Sequence, residues 1–411
     1  MSSDVAEMAR ASDVMPGNWR EVSVADVVAM LPGFAFKSEN FVTETDAGLP
    51  LIRIRDLGQI NTATRYVGDY DEAFAVRDGD ILVGMDGSFE AVRWRGGKAL
   101  LNQRVLKLSS ARPSAVDEGY LFYRVQPALV ELEQTISGTT VKHLSTKDLK
   151  RLAWQLPPLD EQRRIAEVLR SVDVVLSSTT TALAKLKSVK SAVLRDIIEH
   201  DALPDGWVLT PIGDLGAKVK HAIVDGPFGS NLKSEHYRST GIPVFQSGFV
   251  TSSHFKPTKY VFVDDDLFRQ QYRSRAVGGD ILMAKIGAQA GRCAIIPSDH
   301  CEGIIAGNCL KITVNPNQCS AVFLHAVLTY MYGITGLREI ITETAQPAIS
   351  LARLKTLLVP LPPLEEQGSI MEGIHSLDLS IEAETSKLMN LSDLKIALMS
   401  DLLSGKVRVP A

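Results

Sequence analysis

Arginine, lysine, asparagine and glutamine gather in one short stretch of this chain, at Arg93, Arg95, Lys98, Asn102, Gln103 and Arg104. A guanidinium can donate two parallel bonds to a guanine edge, and a carboxamide can both donate to and accept from adenine. The set therefore holds the donors and acceptors that read bases in a major groove. A second set is spread through the other half of the chain, at Lys218, Lys220, His221, Asn231, Lys233, Arg273, Arg275, Lys285, Gln289 and Arg292. Across 218–292, eleven Lys and Arg stand against six Asp and Glu, a net +5; across 86–110, five stand against two, a net +3. The whole chain carries −4, but local balance governs contact with a polyanion. Any one of these side chains is an ordinary solvated cation or amide. Two clusters, one per half, point to a binder with two contact regions.

Catalytic patterns are missing where they would be expected. Holding a flipped adenine for methylation takes an Asn/Asp-Pro-Pro-aromatic run, and Asn315-Pro316-Asn317-Gln318 lacks its second half. Gly97-Lys98-Ala99 and Gly405-Lys406-Val407 lack the hydroxyl residue and upstream glycine of a phosphate-cradling loop. Asp264-Asp265-Asp266 are adjacent, so their carboxylates diverge around a turn more readily than they converge on magnesium. Asp280 and Lys285 lack the acidic residue that a nuclease would carry at Met283, and Gly287-Ala288-Gln289-Ala290-Gly291 reads as a hairpin. Four cysteines in the second half (Cys293, Cys301, Cys309, Cys319) do not have zinc-ligand spacing and suit a reducing cytosol. The expectation is a non-catalytic chain that binds no metal or cofactor. No apolar run approaches the ~20 residues that cross a bilayer, and the start lacks a secretory pattern, so a cytoplasmic location is expected.

The elements that would position the two clusters come as a repeat. Pro157-Pro158-Leu159-Asp160-Glu161-Gln162 returns 205 residues later as Pro362-Pro363-Leu364-Glu365-Glu366-Gln367, and the match runs ungapped from 157–199 onto 362–404 with 15 of 43 positions identical. Each start leads into a run with steps of four and three. In the first copy the apolar seam is Ile165, Leu169, Val172, Leu176, Leu183, Leu186, Val193 and Ile197. In the second it is Ile370, Ile374, Leu377, Ile381, Leu388, Leu391, Leu398 and Leu402. That is a coiled-coil seam. Thr179 with Glu384, and Lys190 with Lys395, interrupt it with polar residues that fix register at some cost in stability. About 40 residues at ~1.5 Å each give helices of about 60 Å. Gly368 and Gly373 weaken the start of the second helix relative to the first, where Arg163 and Arg164 stand opposite Gly368 and Ser369.

Between the helices a looser repeat is visible. Trp19 and Trp207 open two globular regions. Each then has an extended segment (Leu49–Ile54, Ile242–Gln246), a Gly-Asp-Ile-Leu element (Gly79–Leu82, Gly279–Leu282) and a late helix (119–134, 321–332). The predicted architecture is α+β: a flexible 1–16, a strand-rich domain 17–156, a long helix 157–200, a second strand-rich domain 201–361, a second long helix 362–404 and a tail 405–411.

These residues together resemble the specificity (S) subunit of Type I restriction–modification systems. The resemblance rests on the doubled Pro-Leu-Pro-Pro-Leu-(Asp/Glu)-Glu-Gln start, complete from Pro360 and with Gln155 replacing the first proline in copy one. It also rests on the paired Gly-Asp-Ile-Leu elements, on Leu101-Asn102-Gln103-Arg104-Val105 and on Leu403-Ser404-Gly405-Lys406-Val407-Arg408-Val409. It spans Trp19 to Val409. It implies two target-recognition domains that each read half of a split double-stranded DNA site, and an antiparallel helix pair that sets the spacer and docks two methyltransferase subunits. Restriction subunits that translocate DNA would join the same complex. S-adenosylmethionine, ATP and magnesium would then belong to those partners. Two readings stay open beside it: the recognition chain of another restriction or phage-defence system with this plan, and a coiled-coil scaffold that binds no DNA.

Overall fold

The computed structural model describes residues 17–43, 47–135, 142–199, 202–227, 231–251, 253–333, 335–342 and 346–409; the expected flexible segment 1–16 lies outside them. The chain divides into two compact units. Unit 1 takes its residues from the two ends, up to Thr180 and from Ser386; unit 2 is the continuous stretch Thr181–Thr385.

Unit 1 contains a four-stranded antiparallel sheet in the order Val28–Pro32, Val105–Ser110, Ile81–Gly84, Ala91–Arg93. The Gly-Asp-Ile-Leu element forms its fully buried strand Ile81–Gly84, with the aspartate at its entrance. Asp80 accepts from the Arg77 backbone N–H (2.8 Å) and from Lys107 Nζ (2.7 Å), which closes the turn that launches the strand. A mixed sheet lies beside it, with Leu49–Ile52 parallel to Ala99–Leu101. Arg20–Ser23 pairs with Ala153–Leu156, so the strand leading into the first long helix is tied to the beginning of the domain.

Unit 2 repeats each piece. Its four-stranded sheet runs Ile223–Asp225, Cys309–Ile312, Ile281–Ala284, Cys293–Ile295. Ile242–Phe245 is parallel to Gly303–Ile305, and Val208–Pro211 pairs with Leu358–Leu361. Asp280 accepts from the Val277 N–H (3.0 Å) and Lys311 Nζ (3.3 Å), as Asp80 does from its partners.

Four helices frame these sheets: α1 (Glu118–Thr135), α2 (Leu159–Ile198), α3 (Ala321–Gly333) and α4 (Leu364–Leu403). The two long ones are unbroken for 40 residues each. Their glutamines explain the repeated start. The Gln162 amide donates to the Ala115 and Pro157 carbonyls (2.9 Å each), and its oxygen accepts from the Asp117 N–H (3.0 Å). Gln367 does the same with the Gln318 and Pro362 carbonyls (3.0 and 2.9 Å) and the Ser320 N–H (2.8 Å). Both side chains are fully buried. Each glutamine therefore clamps the first turn of a long helix to the loop that opens the preceding domain helix.

Every seam position in both copies is buried or half-buried, the polar ones included. In unit 1 the two helices run in opposite senses: Glu161 meets Arg408, and Asp173 meets Lys395 (2.7 Å). Asp173 also accepts from the Tyr123 hydroxyl of α1 (2.7 Å), and burial together with that partner raises the tyrosine pKa. In unit 2, Lys190 bridges Asp378, and Val193, Leu194 and Ile197 share a core with Ile370, Met371 and Ile374. Asp173 and Asp378 stand 205 residues apart, as do Lys190 and Lys395. Each unit therefore uses the seam lysine of one copy against the aspartate of the other.

The tail completes unit 1. Arg408 forks onto both oxygens of buried Glu161 (2.6 Å each), and its Nη2 donates to Asn18 (2.8 Å). In unit 2 the equivalent carboxylate, Glu366, accepts from the Trp207 indole N–H (3.1 Å).

Candidate nucleic-acid interface

The first cluster surrounds the turn after Ala99–Leu101. Gly33 approaches it so closely that a Cβ there would lie 2.0 Å from the Asn102 carbonyl oxygen. The chain then turns through Gln103 and Arg104. Arg104 adopts φ +71, a left-handed conformation that a non-glycine residue holds at a cost of about 1–3 kcal/mol and that gathers at functional sites. Arg104 Nη1 lies 3.3 Å from Asp86 Oδ1 and 3.3 Å from His143 Nδ1, and Asp86 and His143 are themselves 2.6 Å apart. The guanidinium remains more than half exposed. Gln103 is exposed beside it, and Phe34, half exposed, packs edge-on to Phe36 (5.1 Å).

The other members of that cluster have different surroundings, and the expectation is corrected for Asn102. Asn102 is buried, with its backbone carbonyl against Gly33, and cannot reach a base. Arg93 donates to the Gly79 and Glu118 carbonyls (3.1 Å each) and lies over the Phe122 ring (4.8 Å), so its fork is spent on tying the sheet to α1. Lys98 contacts Tyr70 and Glu72 (2.9 Å to the carboxylate), which hold its ammonium pKa above the ordinary range. Arg95 is exposed on the wall of a groove of about 1200 Å³ that Arg163 and Arg170 of α2 also line.

The second cluster divides the same way. Lys285 is buried and bridges Asp225 (2.8 Å), whose other oxygen takes Arg273 Nη2 (2.8 Å); Lys285 is therefore an internal counter-ion. Arg275 is bound to Glu302 and Arg292 to the Thr251 carbonyl, each against a tyrosine ring, so both hold the scaffold. Gln289 is half-buried. Lys218, Lys220, Asn231 and Lys233 are exposed or half exposed, and Arg273 is half exposed despite its bridge. His221 stands at φ +64 on the wall of a cleft of about 400 Å³ shared with Arg273 and Lys355.

The two units share a backbone frame at this place. Gly33 N–H donates to the Val105 carbonyl (2.8 Å), and Gly226 N–H to Cys309 (3.0 Å). Met85 N–H donates to Arg104 (2.9 Å), and Lys285 N–H to Asn308 (2.8 Å). Gly87 N–H donates to Lys142 (3.0 Å), and Gly287 N–H to Pro347 (2.8 Å). A Cβ on Gly226 would meet the Ala306 carbonyl oxygen at 2.0 Å, as one on Gly33 meets Asn102. Asn308 thus occupies in unit 2 the position of Arg104 in unit 1; its amide donates to Ser247 Oγ (2.8 Å). Sequence reasoning missed Asn308, Asp86 and His143. Asp86 and His143 lie 57 residues apart, and Ile305-Ala306-Gly307-Asn308-Cys309 differs from Leu101-Asn102-Gln103-Arg104-Val105 at every matching position.

Among the described residues no cluster of His, Cys, Asp and Glu is arranged to hold a metal ion, and no helix is long and apolar enough to cross a membrane.

Comparison with known proteins gives this arrangement a family. The model of the Type I restriction modification DNA specificity domain matches twice, over 16–188 and 204–391. The specificity subunit of the Type I restriction enzyme EcoBI of Escherichia coli is 30% identical, across 95% of this chain and 86% of its own. That of MjaVIII from Methanocaldococcus jannaschii is 24% identical, across 96% and 94%. A crystal structure of the S subunit from M. genitalium shares the fold, with a TM-score of 0.58 at 17% identity over 95% of this chain and 98% of that one. The chain belongs to the Type I restriction–modification DNA specificity family and carries two copies of its domain.

Proposed function

We propose that this chain is the DNA-recognition subunit of a Type I restriction–modification complex, each strand-rich domain reading one half of a split, asymmetric target. The observation that carries the reading is the shared frame with unlike side chains: Arg104, Asp86 and His143 in one unit, Asn308 and Ser247 in the other. Two copies of one scaffold that present different donors and acceptors would read two different half-sites. The long helices supply the spacer between them and the docking faces for two methyltransferase subunits. Methyl transfer from S-adenosylmethionine and ATP-driven cleavage, with its magnesium, belong to those partners and to the restriction subunits.

The test is methylation mapping of DNA from cells that carry this chain with its methyltransferase partner. A split, asymmetric motif with one modified adenine in each half is expected. Absence of such a motif, with the partner active and expressed, would overturn the reading in favour of a scaffold.

A further inference from the structure

We propose that Arg104 and Asn308 are the matched base-reading residues of the two domains, Arg104 for a guanine and Asn308 for an adenine. The inference rests on the proposed DNA-recognition role and adds which residue reads which base. Both side chains leave the short connection between a strand of the mixed sheet and a strand of the four-stranded sheet, Arg104 from a left-handed backbone (φ +71) that Asn308 does not share. The backbone carbonyl of each accepts from the residue after the buried Gly-Asp-Ile-Leu strand, Met85 or Lys285. The glycine opposite, Gly33 or Gly226, leaves no room for that turn to shift. The backbone position is therefore fixed twice, by hydrogen bond and by contact.

Each side chain is also held on one edge and open on another. Nη1 of Arg104 is engaged by Asp86 and His143, whereas its Nε and Nη2 have no bond among the described residues. Two adjacent donors held rigid are what guanine O6 and N7 accept. Asn308 uses one amide hydrogen on Ser247, and its oxygen takes only the weak Cys309 thiol (3.6 Å). An N–H and a lone pair remain, the pair that adenine N7 and N6 engage. A side chain pinned by its neighbours loses little rotamer freedom on binding, so the discrimination is not spent on ordering.

The experiment compares the methylated motifs of the native complex with those of Arg104→Asn and Asn308→Arg. A guanine in one half should be replaced by adenine in Arg104→Asn, with the other half unchanged. The reciprocal change should appear in the other half with Asn308→Arg. Should either variant fail to methylate, binding of the Arg104→Ala and Asn308→Ala complexes to duplexes changed at one base pair each decides the matter. The native complex should lose about 5- to 150-fold at the position that each residue reads, and the corresponding alanine variant should be indifferent there. Unchanged motifs, or equal sensitivity of native and alanine complexes at every position, would overturn the assignment. A native complex that yields no split motif would instead remove the functional reading beneath it.

Discussion

The clamp glutamines place a large energetic demand on a single side chain. Replacing Gln162 with leucine leaves the Asp117 N–H and the Ala115 and Pro157 carbonyls without their buried partner. Unsatisfied buried groups cost about 1–3 kcal/mol each, so the substitution should destabilise unit 1 by about 3 kcal/mol or more. Gln367→Leu should do the same to unit 2. The single tryptophan of unit 2, Trp207, makes that loss readable by fluorescence in urea, because Trp19, Trp94 and Trp154 all lie in unit 1. The cysteines give a second residue-scale expectation. Burial pushes Cys293 and Cys319 up to about 12, and Cys309 higher, whereas Cys301 is exposed. The thiolate is the reactive form, so iodoacetamide at neutral pH should label Cys301 alone in the folded protein, as read by mass spectrometry.

At the scale of elements, the sheets and helices were largely legible and the contacts between them were not. Gly-Asp-Ile-Leu announces a buried strand because isoleucine and leucine follow a turn whose aspartate needs local N–H donors. The seam announces long helices because its period is local. The clamp was invisible: Gln162 reaches residues 45 and 47 positions earlier, and no pattern within one helix encodes that. The burial of Asn102 was invisible for the same reason, since its backbone bridges Phe34, 68 positions earlier. The glycines of α4 make a prediction at this scale. A Cβ at Gly368 or Gly373 would meet nothing within 4 Å, so Gly373→Ala should raise the stability of unit 2 by about 0.5–1 kcal/mol. If that open face receives a methyltransferase subunit, titration of the purified partner should show weaker binding in the same variant.

For the whole molecule, the proposed role of the paired helices would make spacer length a property of chain length. Removing one matched heptad from α2 and one from α4 shortens each by about 10 Å, or about three base pairs of DNA. The methylated motif should then close its spacer by about three positions with both half-sites unchanged; an unaltered spacer would count against the helices as the ruler.

The Arg408–Glu161 contact has a consequence in time. Its two residues are 247 positions apart, and a ribosome adding about 5–20 residues per second needs roughly 12–50 s to go from one to the other. Through that interval Glu161 lacks its counter-charge, while unit 2, a continuous stretch of chain, can close as soon as it emerges. Nascent chains sampled by pulse proteolysis should therefore show a protected second unit before a protected first one, although the first is made earlier.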